Sequence, residues 1–185
     1  MHRLPFPASE SHSEGVLDLI HSDLLMISHP SLGGARYIVT FIDDHSRKLW
    51  IYLLKAKSDT FSTFRAFKAM VELQTGRKIR VLRADGGGEY CSNVFKAFME
   101  EQGIVFQTTV PHTPQQNGTA ERINCSLAEQ VHTMLIESSL LWSLWAEAAA
   151  YFTYTKNRSP HRAINGVPEQ VFRGKPPLVS HLWPF

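Results

Sequence analysis

An α/β domain, a mixed sheet with helices packed on its faces, is what the order of periodicities in this chain predicts. Short β-branched and aromatic runs come first, at residues 16–25, 37–42 and 48–54. Helix-period and strand-like segments then alternate, and two helical stretches follow. The 185 residues suit one domain, and 43% hydrophobic with 19% charged residues is ordinary globular composition, enough for a core.

Each element has its own signal. Residues 16–25 are apolar around His21-Ser22-Asp23, a buried strand. Residues 37–42, Tyr-Ile-Val-Thr-Phe-Ile, have strand composition. Asp43-Asp44-His45-Ser46 is turn chemistry, so the strand at 48–54 returns antiparallel. From 58 to 75 the period becomes helical, with Phe61, Phe64, Phe67, Met70 and Leu73 apolar, Ser58 as N-cap and Gly76 as stop. Residues 79–84 form a strand. A helix at 93–102 shows Val94, Phe95 and Phe98 on one side and ends at Gly103. A strand at 104–107 comes next, then a loop at 111–118 marked by its prolines and glycine. Thr119 caps a long helix that buries Ile123, Leu127, Val131 and Met134 or Leu135. A last helix covers 140–156. Trp142 and Trp145 read as core. The first three strands form a meander, and the fourth and fifth run parallel to the first through helical crossovers.

Composition excludes several classes. A formal charge of +2 and a pI near 8.6 hint only faintly at a polyanion partner. Two cysteines, Cys91 and Cys125, stand in no metal-like spacing, so no disulfide framework is expected and a reducing, intracellular setting is. The N-terminus lacks the long apolar run of a secretory signal. Residues 138–155 are nearly uncharged, but Glu147 and several hydroxyl side chains argue for a largely buried helix and against a membrane span. Residues 1–15 read as a linker, 16–160 as the core and 161–185 as its C-terminal extension.

Three carboxylates carry the chemistry. Asp23 and Asp85 each follow or end a strand, where open sheets place ligands. If those strands are adjacent and parallel, the two acids lie side by side and repel, and a divalent cation relieves that repulsion. Gly86-Gly87-Gly88 would let a substrate backbone come close. Glu121 opens the long helix, with 35 residues between it and Asp85. Two ions held by this triad could activate a nucleophile and stabilise a leaving oxygen. The structural alternative is that Asp85 forms a turn and Glu121 complements a helix dipole.

Several blocks resemble copia-type retrotransposon integrases: LIHSDL at 19–24, FIDDHSR at 41–47, KSDTF at 57–61, RADGGGEY at 83–90 and VPHTPQQNGTAER at 110–122. WAEAAAYFTYTKNRSP at 145–160 and GVPEQVFRGKPPLVSHL at 166–182 continue the match in order. The resemblance implies a ribonuclease H-like fold with a five-stranded mixed sheet, helices on both faces, and catalytic, metal-binding Asp23, Asp85 and Glu121. It implies Mg²⁺ or Mn²⁺, two ions per site, and DNA as partner, both element ends and target. Water first trims the 3′ end of the element, and the freed 3′ hydroxyl then attacks a target phosphodiester, without a covalent enzyme intermediate. It further implies self-association, nuclear integration after a cytoplasmic phase, and no membrane or small-molecule cofactor.

The chain departs from the family at three places. Gly86 and Ala84 replace Asn and Ser, and Cys125 replaces a cation one helical turn beyond Glu121, weakening the expected grip on DNA. The histidines and cysteines do not rebuild the family's N-terminal zinc module, so no zinc is expected, and a polyprotein fragment without the C-terminal DNA-binding tail is. Nucleic-acid contacts are expected at Gln116, Asn117, Arg122, Arg83, Lys156 and Arg158. The basic runs 77–83 and 156–175 are the surfaces considered, each weighed against a merely solvated face. His112 is a further loop candidate, and Glu89 is left out of the metal set. Competing readings are a degenerate, non-catalytic integrase-derived domain, favoured by Gly86 and Cys125, and a ribonuclease H, disfavoured by the third acid's spacing.

Overall fold

A computed structural model describes residues 12–108 and 118–180. Five strands, β1 (Leu19–Met26), β2 (Tyr37–Asp43), β3 (Leu49–Leu54), β4 (Val81–Ala84) and β5 (Val105–Thr108), form one sheet in the order β3-β2-β1-β4-β5. β1, β2 and β3 pair antiparallel, and β4 and β5 run parallel to β1. The helices are α1 (Thr60–Thr75), α2 (Asn93–Glu101), α3 (Gly118–Glu137), α4 (Trp145–Arg158) and α5 (Pro168–Arg173).

The two sheet faces differ. On one, α1 and α2 enclose an aromatic layer in which Phe41 stacks on Phe67 at 4.3 Å and Phe64 on Phe95 at 5.3 Å. On the other, α3 and α4 bring Leu127, Val131, Leu135, Trp145 and Ala149 against Ile38. α5 returns to the first face, where Phe172 meets Trp50 edge-on at 4.9 Å.

Several boundaries differ from the sequence expectation for local reasons. The first strand starts at Leu19, because Leu17 has φ +68° and its N–H donates to the buried Asp43 carboxylate at 2.8 Å. The first helix begins after a 3₁₀ turn, Lys57–Asp59, so Ser58 is not its cap, and Asp59 instead accepts the Ala56 N–H at 3.1 Å. Gly76 does end that helix, with φ +68°. Val94 is 62% exposed, and Met99 takes its place in the core beside Phe95. The long helix already includes Gly118, which places Thr119 in its first turn. Trp142 lies in a 3₁₀ turn, exposed, against His132, whereas Trp145 is buried. The helix of α5 had no expectation attached. Cys91 and Cys125 are free. Among the described residues, no helix is long and apolar enough to cross a membrane.

Candidate active site

β1 alternates its side chains between the two faces. Ile20, Ser22 and Leu24 turn to the aromatic layer, where Ser22 Oγ and the buried Tyr90 hydroxyl lie 2.7 Å apart. Asp23 turns to α3. The parallel register of β1 with β4 pairs His21 with Arg83, and carried two residues further it sets Asp85 level with Asp23. Glu121 comes from the first turn of α3. One helical turn on, Asn124 Nδ2 donates to Asp23 Oδ2 at 2.7 Å, while Asp23 Oδ1 accepts the Leu24 N–H at 2.9 Å.

Electrostatics tie the three acids together. Burial raises the Asp23 pKa; the Leu24 and Asn124 hydrogen bonds oppose this, and the charges of Asp85 and Glu121 add to it. Asp85 itself is exposed and accepts the Gly87 N–H at 3.2 Å. Among the described residues, no three His, Cys, Asp or Glu side chains converge closely enough to hold an ion as they stand. Their chemistry nonetheless fits a divalent cation: hard carboxylate oxygens that repel one another, and beside them the buried Asn124 Oδ1 with no hydrogen-bond partner.

The glycines after β4 differ in the room around them. A Cβ on Gly87 would stand 2.8 Å from Glu89 Oε1 and 3.0 Å from Asp85 Oδ1, so these two side-chain ends would have to shift to admit it. Nothing lies within 4 Å of a Cβ on Gly86, so the family's Asn would have room there. Glu89 thus sits against the same backbone turn as Asp85.

The expected nucleic-acid contacts divide. Gln116, Asn117 and His112 lie outside the described residues. Arg83 is held by Gln107, with its Nη2 at 2.8 Å. Two of its neighbours in the first basic run are engaged by acids: Lys78 with Glu72 at 3.0 Å and Arg80 with Asp18 at 3.3 Å. Arg158 covers the Tyr154 ring at 3.5 Å. Arg122 is exposed, and Lys156 is half-buried at the end of α4. Asn124 was missed at the sequence level. Its spacing of three from Glu121 was a usable signal, since both then share one helix face.

The sheet order, with its meander and two parallel crossovers, defines a ribonuclease H-like domain. Comparison with known proteins carries the assignment further. The family model described as Integrase core domain matches residues 14–114, and the chain belongs to that family. It is 45% identical over 183 residues to the Retrovirus-related Pol polyprotein from transposon TNT 1-94 of Nicotiana tabacum, covering 98% of this chain and 14% of that protein. It is 34% identical over 182 residues to the corresponding polyprotein from transposon RE2 of Arabidopsis thaliana, covering 98% of this chain and 12% of the relative. The chain therefore spans a small part of these two relatives, both from copia-type transposons. Two solved structures share the fold. One is a chain of the simian T-cell lymphotropic virus intasome in complex with PP2A regulatory subunit B56 gamma, with TM-score 0.69 and 18% identity over 91% of this chain and 56% of that one. The other is the HTLV-2 integrase catalytic core domain in complex with magnesium in a trimeric form, with TM-score 0.62 and 17% identity over 84% of this chain and 96% of that one.

Proposed function

We propose that this chain is the catalytic core of a retrotransposon integrase, carrying out metal-dependent 3′-end processing and strand transfer on DNA. The observation that carries the reading is the convergence on Asp23 of two like charges from separate elements, Asp85 beyond β4 and Glu121 on α3. Like charges drawn toward a half-buried carboxylate cost stability, and a shared cation would offset that cost. Asp23, Asp85 and Glu121 would hold Mg²⁺ or Mn²⁺, two ions in all, which would supply charge neutralisation at the reacting phosphate. The magnesium in the HTLV-2 core domain structure supports that choice.

The remaining work falls to this chain. Asn124 orients the Asp23 carboxylate by one hydrogen bond and the Leu24 N–H holds its other oxygen. The Ser22–Tyr90 pair fixes the strand beneath. Gly86, Gly87 and Gly88 leave the approach to Asp85 open to a nucleic-acid backbone. Each transfer exchanges one phosphorus–oxygen bond for another, so positioning and charge neutralisation suffice. The DNA substrates are the element ends and the target; the chain self-associates, and acts in the nucleus after a cytoplasmic phase.

The test is rejoining of a branched DNA substrate with Mn²⁺, this chain against Glu121→Gln. Product that requires metal and disappears in the variant supports the reading. The second reading, a non-catalytic integrase-derived domain, is favoured by exposed Cys125 where a cation is expected. A folded chain that binds metal but yields no product would select it.

A further inference from the structure

The basic side chains near the C-terminus fall into two sets. Lys48 and Arg173 are both spent on Glu169, at 2.7 and 2.6 Å, and Arg158 stacks on Tyr154. The Lys48 pair ties α5 to the start of β3, and the other two contacts lie within α5 and within α4. Lys156 does otherwise. It is half-buried, burial alone depresses its pKa, and no described residue pairs with it.

Lys156 is placed by its neighbour. Asn157 accepts the Leu49 N–H at 2.9 Å and donates to the Leu49 carbonyl at 2.7 Å. This clamp lays the end of α4 beside the β2–β3 turn, two residues from Arg47. Arg47 in turn reaches α3, its Nη1 donating to Thr119 Oγ1 at 3.3 Å, while its Nε is buried without a partner. Arg122 folds back over the start of the same helix, its Nη1 3.3 Å from where a Cβ on Gly118 would stand. Arg47 and Arg122 therefore flank the first turn of α3, a 20-residue helix whose leading N–H groups have no intrahelical acceptor, and the end of α4 that carries Lys156 lies beside the turn that carries Arg47.

We propose that Arg47, Arg122, Lys156 and His161 form a cradle for one phosphodiester of a DNA duplex, beside Glu121 at the start of α3. The inference rests on the reading of the chain as a DNA-joining core, and adds where the duplex backbone is held. The cations crowd one another. The His161 pKa is lowered by burial and then by Lys156, Arg47 and His12. Arg47 is burdened by burial, relieved by Asp44, and burdened again by Arg122. Three acids face this surface, and all are engaged; Asp43 accepts from the Leu17 N–H, the Ser46 N–H and the Ser46 hydroxyl. Asp44 is shared by His21, Arg47 and the Ser13 N–H, at 3.0, 3.0 and 2.8 Å. Glu121 is coupled to Asp23. A phosphate there would relieve the repulsion of all four groups at once.

His161 reports on the cradle without any reaction. Its imidazole resonance, assigned with His161→Gln, is followed against pH in NMR spectra of the full chain, alone and with a short duplex. The duplex should raise its pKa by about one unit, tenfold in proton affinity. In fluorescence anisotropy, Lys156→Gln and Arg122→Gln should each weaken the duplex roughly fivefold and reduce the salt slope by about 1. Lys96→Gln, an exposed charge on α2, is the control and should bind as the unaltered chain does. An unmoved His161, or variants indistinguishable from the control, overturns the cradle. Inorganic phosphate at equal concentration that moves the ring as far as the duplex does overturns the assignment to a DNA backbone. The two readings separate cleanly: joining that persists with unaffected variants removes only the cradle, and a duplex-induced His161 shift without joining removes only the catalytic reading.

Discussion

Two acidic groups lie along β1, one against its start and one at its middle, and the fold treats them differently. At the β2–β3 turn, Asp43 accepts from the Leu17 N–H, the Ser46 N–H and the Ser46 hydroxyl, and Asp44 from His21, Arg47 and Ser13. Burial still raises the Asp43 pKa, but on Asp44 the His21 and Ser13 hydrogen bonds with the Arg47 charge outweigh burial and hold the carboxyl well below its usual range. In the middle of the strand, Asp23 has only Leu24 and Asn124 as donors and faces two further negative charges. Acids surrounded by donors hold a turn together. Acids surrounded by acids are a stability cost that a bound cation would offset, and the proposed function rests on that contrast.

Substitutions should divide along this line. Glu121→Gln should lower rejoining by about a thousandfold with the melting temperature unchanged. Asp23→Asn should abolish rejoining too, yet raise the melting temperature of the metal-free chain, because it removes a charge the fold disfavours. A lower melting temperature would place Asp23 with the structural acids. Asp43→Ala should do the reverse, costing about 3 kcal/mol in urea unfolding by stranding three buried donors, with rejoining per folded molecule retained.

Smaller effects sharpen the contrast. Asn124→Ala should slow rejoining about tenfold while the fold persists, since it frees Asp23 to rotate, and Asn124→Asp should not restore the rate. In acid, Asp44 and Asp23 titrate with opposite sign. The depressed Asp44 contributes stability above its unfolded pKa of about 3.9, and that contribution is lost as pH falls through the folded value. Asp44→Asn should flatten the acid limb of a stability–pH profile; an unchanged limb would show that another carboxylate dominates. The raised Asp23 runs the other way, so protonating it stabilises the metal-free chain. Smallest of all, Cys125→Arg should tighten duplex binding severalfold, and no change would remove the case that position 125 meets DNA.

Much of this was legible in the chain. Alternation and helical period located every strand and four of the five helices, and the motif blocks gave the family. What local pattern misjudged were places where a side chain's partner comes from far away. Val94 has the apolarity of a core residue, but the helix turns it outward. Trp142 and Trp145 have one spacing and two fates, because the turn before α4 rotates only one of them inward. The basic run at 156–175 read as one patch, and Glu169 splits it.

The sequence by itself determined the strand and helix order, the identity of the three acids and their spacing, since these depend on neighbours a few residues apart and on motifs preserved as text. Only the tertiary structure decided which charges meet. Asn124 reaches Asp23 from 101 residues away, and Asn157 reaches Leu49 from 108. Electrostatic effects fall off with distance in space, not along the chain, so whether an acid is held by donors or crowded by other acids appears only once the sheet has brought its strands together.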